Sequence, residues 1–516
     1  MAQKEQQPAA AAVRKSGPVS SALDKVFHFT ERGSTMKSEI GAGLGSFCIA
    51  VCALLMNTQI IGSAYGNYAG SYLAVGLLCF AGTLLLGIIC NLPLQQTANM
   101  GLSSVLISML GTDTGLTYAN LMAVTFVAAV VYLALVLSPA RRVLVDALPD
   151  GVKKALPVGI GLYIMYTGLK NAGILNAEGA MTRASDLTTL NIYYFWLMIA
   201  AVFLFILFKA LRRKKPAFAT FGILIGAMWI GGIIFFMDYF IGGQTASVVV
   251  YERLNLVVAT DGADPYNIVT GLQSLQTGAL FTEGFDFSAY TAAGGSVPLL
   301  FVQGIFTFVL MGLYSNLGNA RATAVAGGYE EESYAAQGER RALVLGAALN
   351  VAAPVLGASP TSVGSQSAVG AGDGGKTGLS SVAASVGWLI ALFTWVFFML
   401  FATSTNGVGM WVGETETKLA AYVQDGFAFA DLIMVLVGAT MLRGVRACDP
   451  SRRSEWIPFA ATLGTIAFLG DIALGVGVGC VACVLCKAVS QERRELNVSS
   501  LVLSTIMLAY VILALL

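Results

Sequence analysis

Charge is scarce in this sequence. Asp, Glu, Lys and Arg make up 11% of its 516 residues, where an ordinary soluble protein carries about 25%. Hydrophobic residues make up 56%, and the mean hydropathy is +0.74. That balance excludes a soluble globular domain and points to a polytopic membrane protein. Histidine is scarcer still: His28 is the only one, and it lies in a polar N-terminal stretch. Ser-His-Asp chemistry and metal-assisted hydrolysis therefore have almost nothing to work with. No enzyme, metal or cofactor is expected. The net charge of +1 singles out no class of partner, and no nucleic acid is expected among them.

A cleavable signal peptide is not expected either. About forty polar residues precede the first apolar run, whereas a signal places its apolar region within about the first 15–30. Residues 1–39 are read as a disordered cytoplasmic tail. Of the eight cysteines, Cys48, Cys52, Cys79 and Cys90 lie in apolar runs, and Cys448 sits alone in a basic loop. Cys480, Cys483 and Cys486 have C-x-x-C spacing within "GVGVGCVACVLCKAV". With no fourth ligand nearby, they read as small packing thiols.

What the chain has is long apolar runs. A spanning helix needs about 17–25 mostly apolar residues. Candidates cover 41–62, 69–91, 118–139, 153–170, 189–209, 216–240, 297–317, 340–356, 378–402 and 427–442. Shorter, polar-interrupted pieces lie near 97–110 and 361–372, and "LGDIALGVGVG" splits the run 456–487 into two helices. Lys and Arg collect in alternate loops, as cytoplasmic loops do. They fall at Arg141 to Lys154, Lys209 to Lys215 and Arg443 to Arg453, while the stretch 241–296 has only Arg253. This places the N-terminus in the cytoplasm. The expected architecture is all-α, with about 14 transmembrane segments. Residues 499–516 either cross once more or lie against the bilayer.

Internal matches suggest two halves. "TGLTYANL" at Thr114 and "TGLSSVAA" at Thr377 give an offset of 263, which sets Ser103 against Gln366. "GSFCIAVCALLMN" and "GIFTFVLMGLYSN" give an offset of 259, which sets Asn57 against Asn316. Seven segments per half inverts the second half relative to the first, as in many secondary transporters. The two short pieces then occupy corresponding places, as broken third and tenth segments. Each has a proline, Pro93 or Pro360, then a polar extended stretch, then the start of a half-helix near Gly101 or Gln366. Irregular backbone at membrane depth survives only where it is buried in protein or lines a cavity. Its N–H and C=O groups can read a polar ligand, and the half-helix N-termini add positive dipole ends. A flat heterocycle with several donors and acceptors suits such a site. The alternative is small-residue helix packing.

Three stretches in order resemble the nucleobase–cation symporter-2 family, and most of all its AzgA-like purine permeases. They are "LDKVFHFTERGSTMKSEIGAGLGSF", "LVDALPDGVKKALPVGIGLYIMYTGLKNAGIL" and "GASPTSVGSQSAVGAGDGGKTGL". The resemblance runs from about Leu23 to Lys487. It implies seven-plus-seven inverted repeats, with a core domain of segments one to four (40–140) and eight to eleven (297–402). A gate domain would hold segments five to seven (141–240) and twelve to fourteen (403–487), with an extracytoplasmic loop at 241–296 and a C-terminal apolar segment at 488–516. It further implies elevator-type, proton-coupled uptake of a small heterocyclic substrate by a homodimer in the cell membrane, in contact with the lipid bilayer.

The substrate-binding residues it points to are Ala98, Asn99 and Ser103 in the third segment, and Ser365 and Gln366 in the tenth. Gly312, Tyr314, Ser315 and Asn316 in the eighth and Asn57 in the first complete the set. The chain departs from the family pattern at four of them. Ser103 stands for an asparagine, Gly312 and Ser315 for aspartates, and Gln366 for a glutamate. Proton acceptors are thereby lost, since Ser and Gln do not titrate. Uncoupled facilitation of a neutral or anionic solute, or a sensor or scaffold role, is the alternative. Asp471, in "FLGDIALG", is the most membrane-embedded acid by sequence. It is either a proton carrier or the N-cap of the helix after it.

Overall fold

The computed structural model describes residues 18–65, 68–110, 115–139, 149–171, 272, 275–328, 338–364, 366–393, 442–469, 472–489, 500–505 and 507–508. The sequence-predicted segments at 189–209, 216–240 and all but the last residue of 427–442 lie outside these residues, as does Asp471.

Among the described residues, four helices are long and apolar enough to cross a membrane, over Met36–Gly62, Ala69–Cys90, Tyr118–Leu137 and Val297–Ala320. In chain order the elements are α1 (Pro18–Phe27), α2 (Met36–Tyr65), α3 (Tyr68–Leu85), β1 (Gln96–Ala98), α4 (Met100–Leu110), α5 (Tyr118–Leu137) and α6 (Asp150–Asn171). Two short helices follow, α7 (Ala279–Thr282) and α8 (Ser288–Ala292). Then come α9 (Val297–Gly327), α10 (Arg340–Val355), β2 (Thr361–Val363), α11 (Gln366–Gly372), α12 (Gly378–Phe393), α13 (Arg453–Leu469) and α14 (Ile472–Val489). The run 456–487 is thus two helices, as its Gly-Asp interruption predicts.

The disordered-tail reading is corrected for residues 18–39. "PVSSALDKVF" forms α1, and Phe27 and Phe29 are buried with Leu379 of α12, with Leu23 packed against them. The apolar spacing of Leu23 and Phe27, four residues apart, gives this short helix one sticky face. The Thr30 side chain and then its backbone N–H, which donates to Asp24 Oδ1 at 2.9 Å, hold the Asp24 carboxyl below its ordinary value.

Small residues bring α2, α3 and α12 together. A Cβ on Gly43 would strike the backbone carbonyl of Ser380, and one on Gly378 would strike that of Gly87. In lipid, where apolar burial gives little drive for helix association, such close approach maximises dispersion contact. Trp388 and Tyr72 fill the centre of this group, and Phe47 meets Trp388 edge-on at 5.3 Å. The outward faces carry exposed Leu77, Ile88, Val130, Leu389, Ile390 and Phe393, a surface suited to hydrocarbon. Helix α5 starts at a capping box: Thr117 Oγ1 accepts from Asn120 N at 3.2 Å and Asn120 Oδ1 accepts from Thr117 N at 2.9 Å.

Helices α6, α13 and α14 pack on one another. Lys154 of α6 pairs with Glu455 of α13 at 2.6 Å, and Ile466 sits in notches left by Gly159 and Gly475. Cys480 and Cys483 are buried in α14, and neither is in a disulfide.

Candidate functional site

Both sequence-predicted broken segments are broken. Helix α3 ends in a single π turn at Leu86–Cys90 and a left-handed Asn91 at φ 50°. The chain then runs extended through Pro93 into β1 before α4 begins. The second segment repeats this: α10 ends, the chain passes Pro360 into β2, and α11 follows.

The two strands meet as an antiparallel ribbon, with Gln96 opposite Val363, Thr97 opposite Ser362 and Ala98 opposite Thr361. Its ends are closed by Asn99 N donating to Pro360 O at 3.2 Å and Gly364 N donating to Gln95 O at 2.9 Å. Exchanging residues 265 apart, Asn99 with Gly364 and Gln95 with Pro360, turns each of these bonds into the other, so a pseudo-twofold passes through the Thr97–Ser362 pair. This corrects the sequence offset of 263. The helices that follow, α5 and α12, start 260 apart, so the "TGL" match falls between two structural offsets and aligns neither. On the ribbon's offset, Gln366 falls against Gly101 and Ser103 against Ala368 rather than against each other.

A two-stranded ribbon has two outer edges, and in a membrane neither finds water. Side chains close both. Thr83 Oγ1 on α3 accepts from Gln96 N at 3.0 Å and donates to Gln96 O at 3.3 Å. Asn350 on α10 accepts from Thr361 N and donates to Thr361 O, each at 2.8 Å. Ser381 of α12 donates to the carbonyls of Leu92 and Leu94 in the extended entry to β1.

The predicted residues gather around this crossing. Asn57 Oδ1 accepts from the hydroxyls of Ser103 (2.5 Å) and Ser359 (3.0 Å), while its Nδ2 is buried with no partner among the described residues. Asn99 caps α4 through Leu102 N (3.1 Å) and reaches Ser315 at 3.4 Å; Ser315 reaches Ser362 at 3.5 Å. Ala98 is buried in β1. Asn316 is engaged with the protein on both sides: Oδ1 accepts from Val363 N at 2.8 Å, and Nδ2 donates to Gly312 O (2.7 Å) and Tyr132 Oη (3.3 Å). A side chain on Gly312 would face the Tyr132 ring. Tyr314 lies on α9, but its side chain is outside the described residues, as are Ser365 and Asp471.

Gln366 opens α11 and is 5% exposed. Its carbonyl oxygen has no hydrogen-bond partner among the described residues. A Cβ on Gly364 would collide with that oxygen and with Thr97 Oγ1, so the two oxygens lie over the same glycine. Gln95 and Thr97 are two apart along the extended chain and share a face. Gln95 Oε1 is likewise buried and unpartnered among the described residues, while its Nε2 donates to Ser46. A buried acceptor left unpaired costs about 1–3 kcal/mol, so Gln366 Oε1 and Gln95 Oε1 each have room to accept a hydrogen bond. Sequence reasoning missed Gln95, Thr97, Ser359, Ser362, Thr83 and Asn350. The signal for the first four was present, since "LQQTAN" and "ASPTS" are polar islands in apolar surroundings. Thr83 and Asn350 lie in apolar helices and carry no local mark.

Among solved structures, the fold is similar to the transmembrane domain of a cyanobacterial bicarbonate transporter, BicA, with TM-score 0.50 at 14% identity over 87% of this chain and 97% of that one. It is also similar to SLC26A9, with TM-score 0.52 at 12% identity over 93% of this chain and 72% of that one. No protein-family model matches. The chain is a multi-pass membrane protein of this transporter fold, and its relatives are permeases and transporters rather than enzymes. It is 24% identical over 476 residues to the guanine/hypoxanthine permease PbuO of Bacillus subtilis, covering 92% of this chain and 96% of the relative. It is 23% identical over 476 residues to the adenine permease AdeP of Escherichia coli, covering 92% of each. Against the nucleobase transporter PlAzg2 of Paenibacillus larvae it is 21% identical over 452 residues, covering 88% of this chain and 78% of the relative. These similarities fit the nucleobase–cation symporter family.

Proposed function

We propose that this protein is a permease that carries a purine, or a flat heterocycle like one, across the cell membrane through the β1–β2 crossing. The observation that carries the reading is the Gln366 carbonyl, buried and unpartnered among the described residues beside Thr97. A ring N–H donating to Gln366 would satisfy it, and the start of α4 supplies a positive dipole end for a ring carbonyl. The relatives suggest the substrate class: guanine, hypoxanthine, adenine and nucleobases.

The movement we propose is an elevator. A core of segments one to four and eight to eleven, carrying the crossing, slides against a gate of segments five to seven and twelve to fourteen. Apolar contact supports this: Ile466 of α13 joins a buried cluster with Ile61, Leu102 and Leu106. Uptake is driven by a proton carried away from the crossing, with Asp471 as the candidate, in a homodimer with a cytoplasmic N-terminus.

A second reading, uncoupled facilitation, is favoured by one observation. Among the described residues, the side chains that meet at the crossing are amides and hydroxyls: Asn57, Asn99, Ser103, Ser315, Ser362 and Gln366. Uptake of radiolabelled purines by permease-deficient cells tests both readings. The permease reading expects saturable uptake that Gln366→Ala reduces at least about tenfold, with the variant still in the membrane. Unchanged uptake in that variant contradicts the site. Accumulation against a gradient that collapses with a protonophore supports coupling; equilibration alone supports the facilitator.

A further inference from the structure

Residues 370–377, "GAGDGGKT", match the G-x-x-x-x-G-K-T spacing of a phosphate-binding loop. That loop follows a strand, whereas here the stretch begins inside α11. Its amides are also already taken. Lys376 N donates to Glu39 Oε1 at 2.9 Å, Thr377 N to Glu39 Oε2 at 3.2 Å, and Gly378 N to Asn91 Oδ1 at 2.9 Å. Glu39, in the first turn of α2, is fully buried. The N-terminus of α12 is an anion site filled from within, by a carboxylate of this chain.

The same cluster reaches both broken segments. Asn91 is the residue where the first segment leaves α3, and its Nδ2 donates to Phe27 O at 3.1 Å. Lys376 and Thr377 follow α11 after the three-residue turn 373–375. Arg32 Nη1 bridges the two, donating to Asn91 O at 2.8 Å and Lys376 O at 3.1 Å. Ser34 adds a bond to Gly374 O at 2.9 Å.

We propose that Glu39 is a positioning residue for transport: with Arg32 and Asn91 it clamps the entry of one broken segment to the exit of the other, and so sets the spacing of the strands at the crossing. The inference rests on the permease reading for its functional consequence, but not for its structural one. Among the described residues, the backbone hydrogen bonds to the Glu39 carboxylate come from outside the crossing, from Lys376 and Thr377. Its effect passes along five residues of chain from Asn91 to β1, and back through α11 to β2.

The test uses full-length Glu39→Gln and Arg32→Ala, with hydrogen exchange of the purified proteins and uptake by cells. A clamp predicts faster exchange, by about tenfold or more, at the Asn99 and Gly364 amides that close the ribbon, and not only at 376–378. It also predicts a KM for the transported purine raised about fivefold while Vmax per folded protein stays within about twofold. A local helix cap predicts faster exchange confined to 376–378 with KM unchanged, and that result overturns the proposal. Arg32 is half-buried and serves if Glu39→Gln fails to fold; it should show the same pattern, more weakly. If the parent protein takes up no purine, the permease reading fails, and the exchange arm still decides the clamp.

Discussion

At the outer edge of β1 one hydroxyl, Thr83 Oγ1, serves both the N–H and the C=O of Gln96, while at the outer edge of β2 Asn350 meets Thr361 with two different atoms. Behind the ribbon, Asn316 has every polar atom engaged, while Asn57 leaves its amide nitrogen unpartnered among the described residues. Helix α4 is capped by Asn99, and the shorter α11 begins with Gln366, whose carbonyl is open. One geometry is therefore built twice with different side chains, and the differences separate support from binding. Where the polar atoms are consumed, as at Asn350 and Asn316, the residue holds the ribbon. Where acceptors are left over among the described residues, as at Gln366 and Gln95, the residue belongs to the proposed site.

The largest expected effect lies in the supports. Asn350→Ala leaves the N–H and C=O of Thr361 unpaired in a buried edge, at about 1–3 kcal/mol each. Folded yield and thermal stability, read by fluorescence-detected size exclusion, should fall sharply. Thr83→Val should fall less, because one hydroxyl at 3.0 and 3.3 Å does the equivalent work. Equal losses would mean that the two edges are not closed in the way the distances indicate.

The next contrast separates Gln366 from Ser103. Sequence alignment of the halves made them counterparts, yet Ser103 spends its hydroxyl on Asn57 and on the carbonyl of Asn99. Ser103→Ala should change uptake KM by no more than about threefold, while Gln366→Ala abolishes most uptake. A reversed order would move the binding surface to the first half.

The smallest effect concerns the helices after the crossing. Thr117 caps α5 alone with Asn120, so Thr117→Ala should cost about 1 kcal/mol. Thr377→Ala should cost less in thermal melts, because Glu39 and Asn91 already hold the first amides of α12.

Much of this was legible in the sequence. Composition, the spacing of apolar runs and the two Pro-containing polar stretches gave the membrane class, the break in 456–487 and both broken segments. The antiparallel contact between those segments was not legible, because pairing depends on helices some 260 residues apart folding back on each other. Nor was the ribbon's offset of 265, since "TGL" is common chemistry for a helix start and drew the alignment two residues off there. Helix α1 was missed because a ten-residue stretch with Leu23 and Phe27 becomes ordered only by packing on Leu379. Glu39 was passed over as one more polar residue before the first span, although it is the buried carboxylate that fills the start of α12.

The most direct measurement is ligand-dependent stabilisation of the purified protein, titrated with guanine, hypoxanthine, adenine and bicarbonate, alongside Gln366→Ala. A purine site at the crossing predicts saturable stabilisation by at least one purine, absent in Gln366→Ala, and none by bicarbonate. Stabilisation by bicarbonate alone, or purine stabilisation that survives in Gln366→Ala, would contradict it.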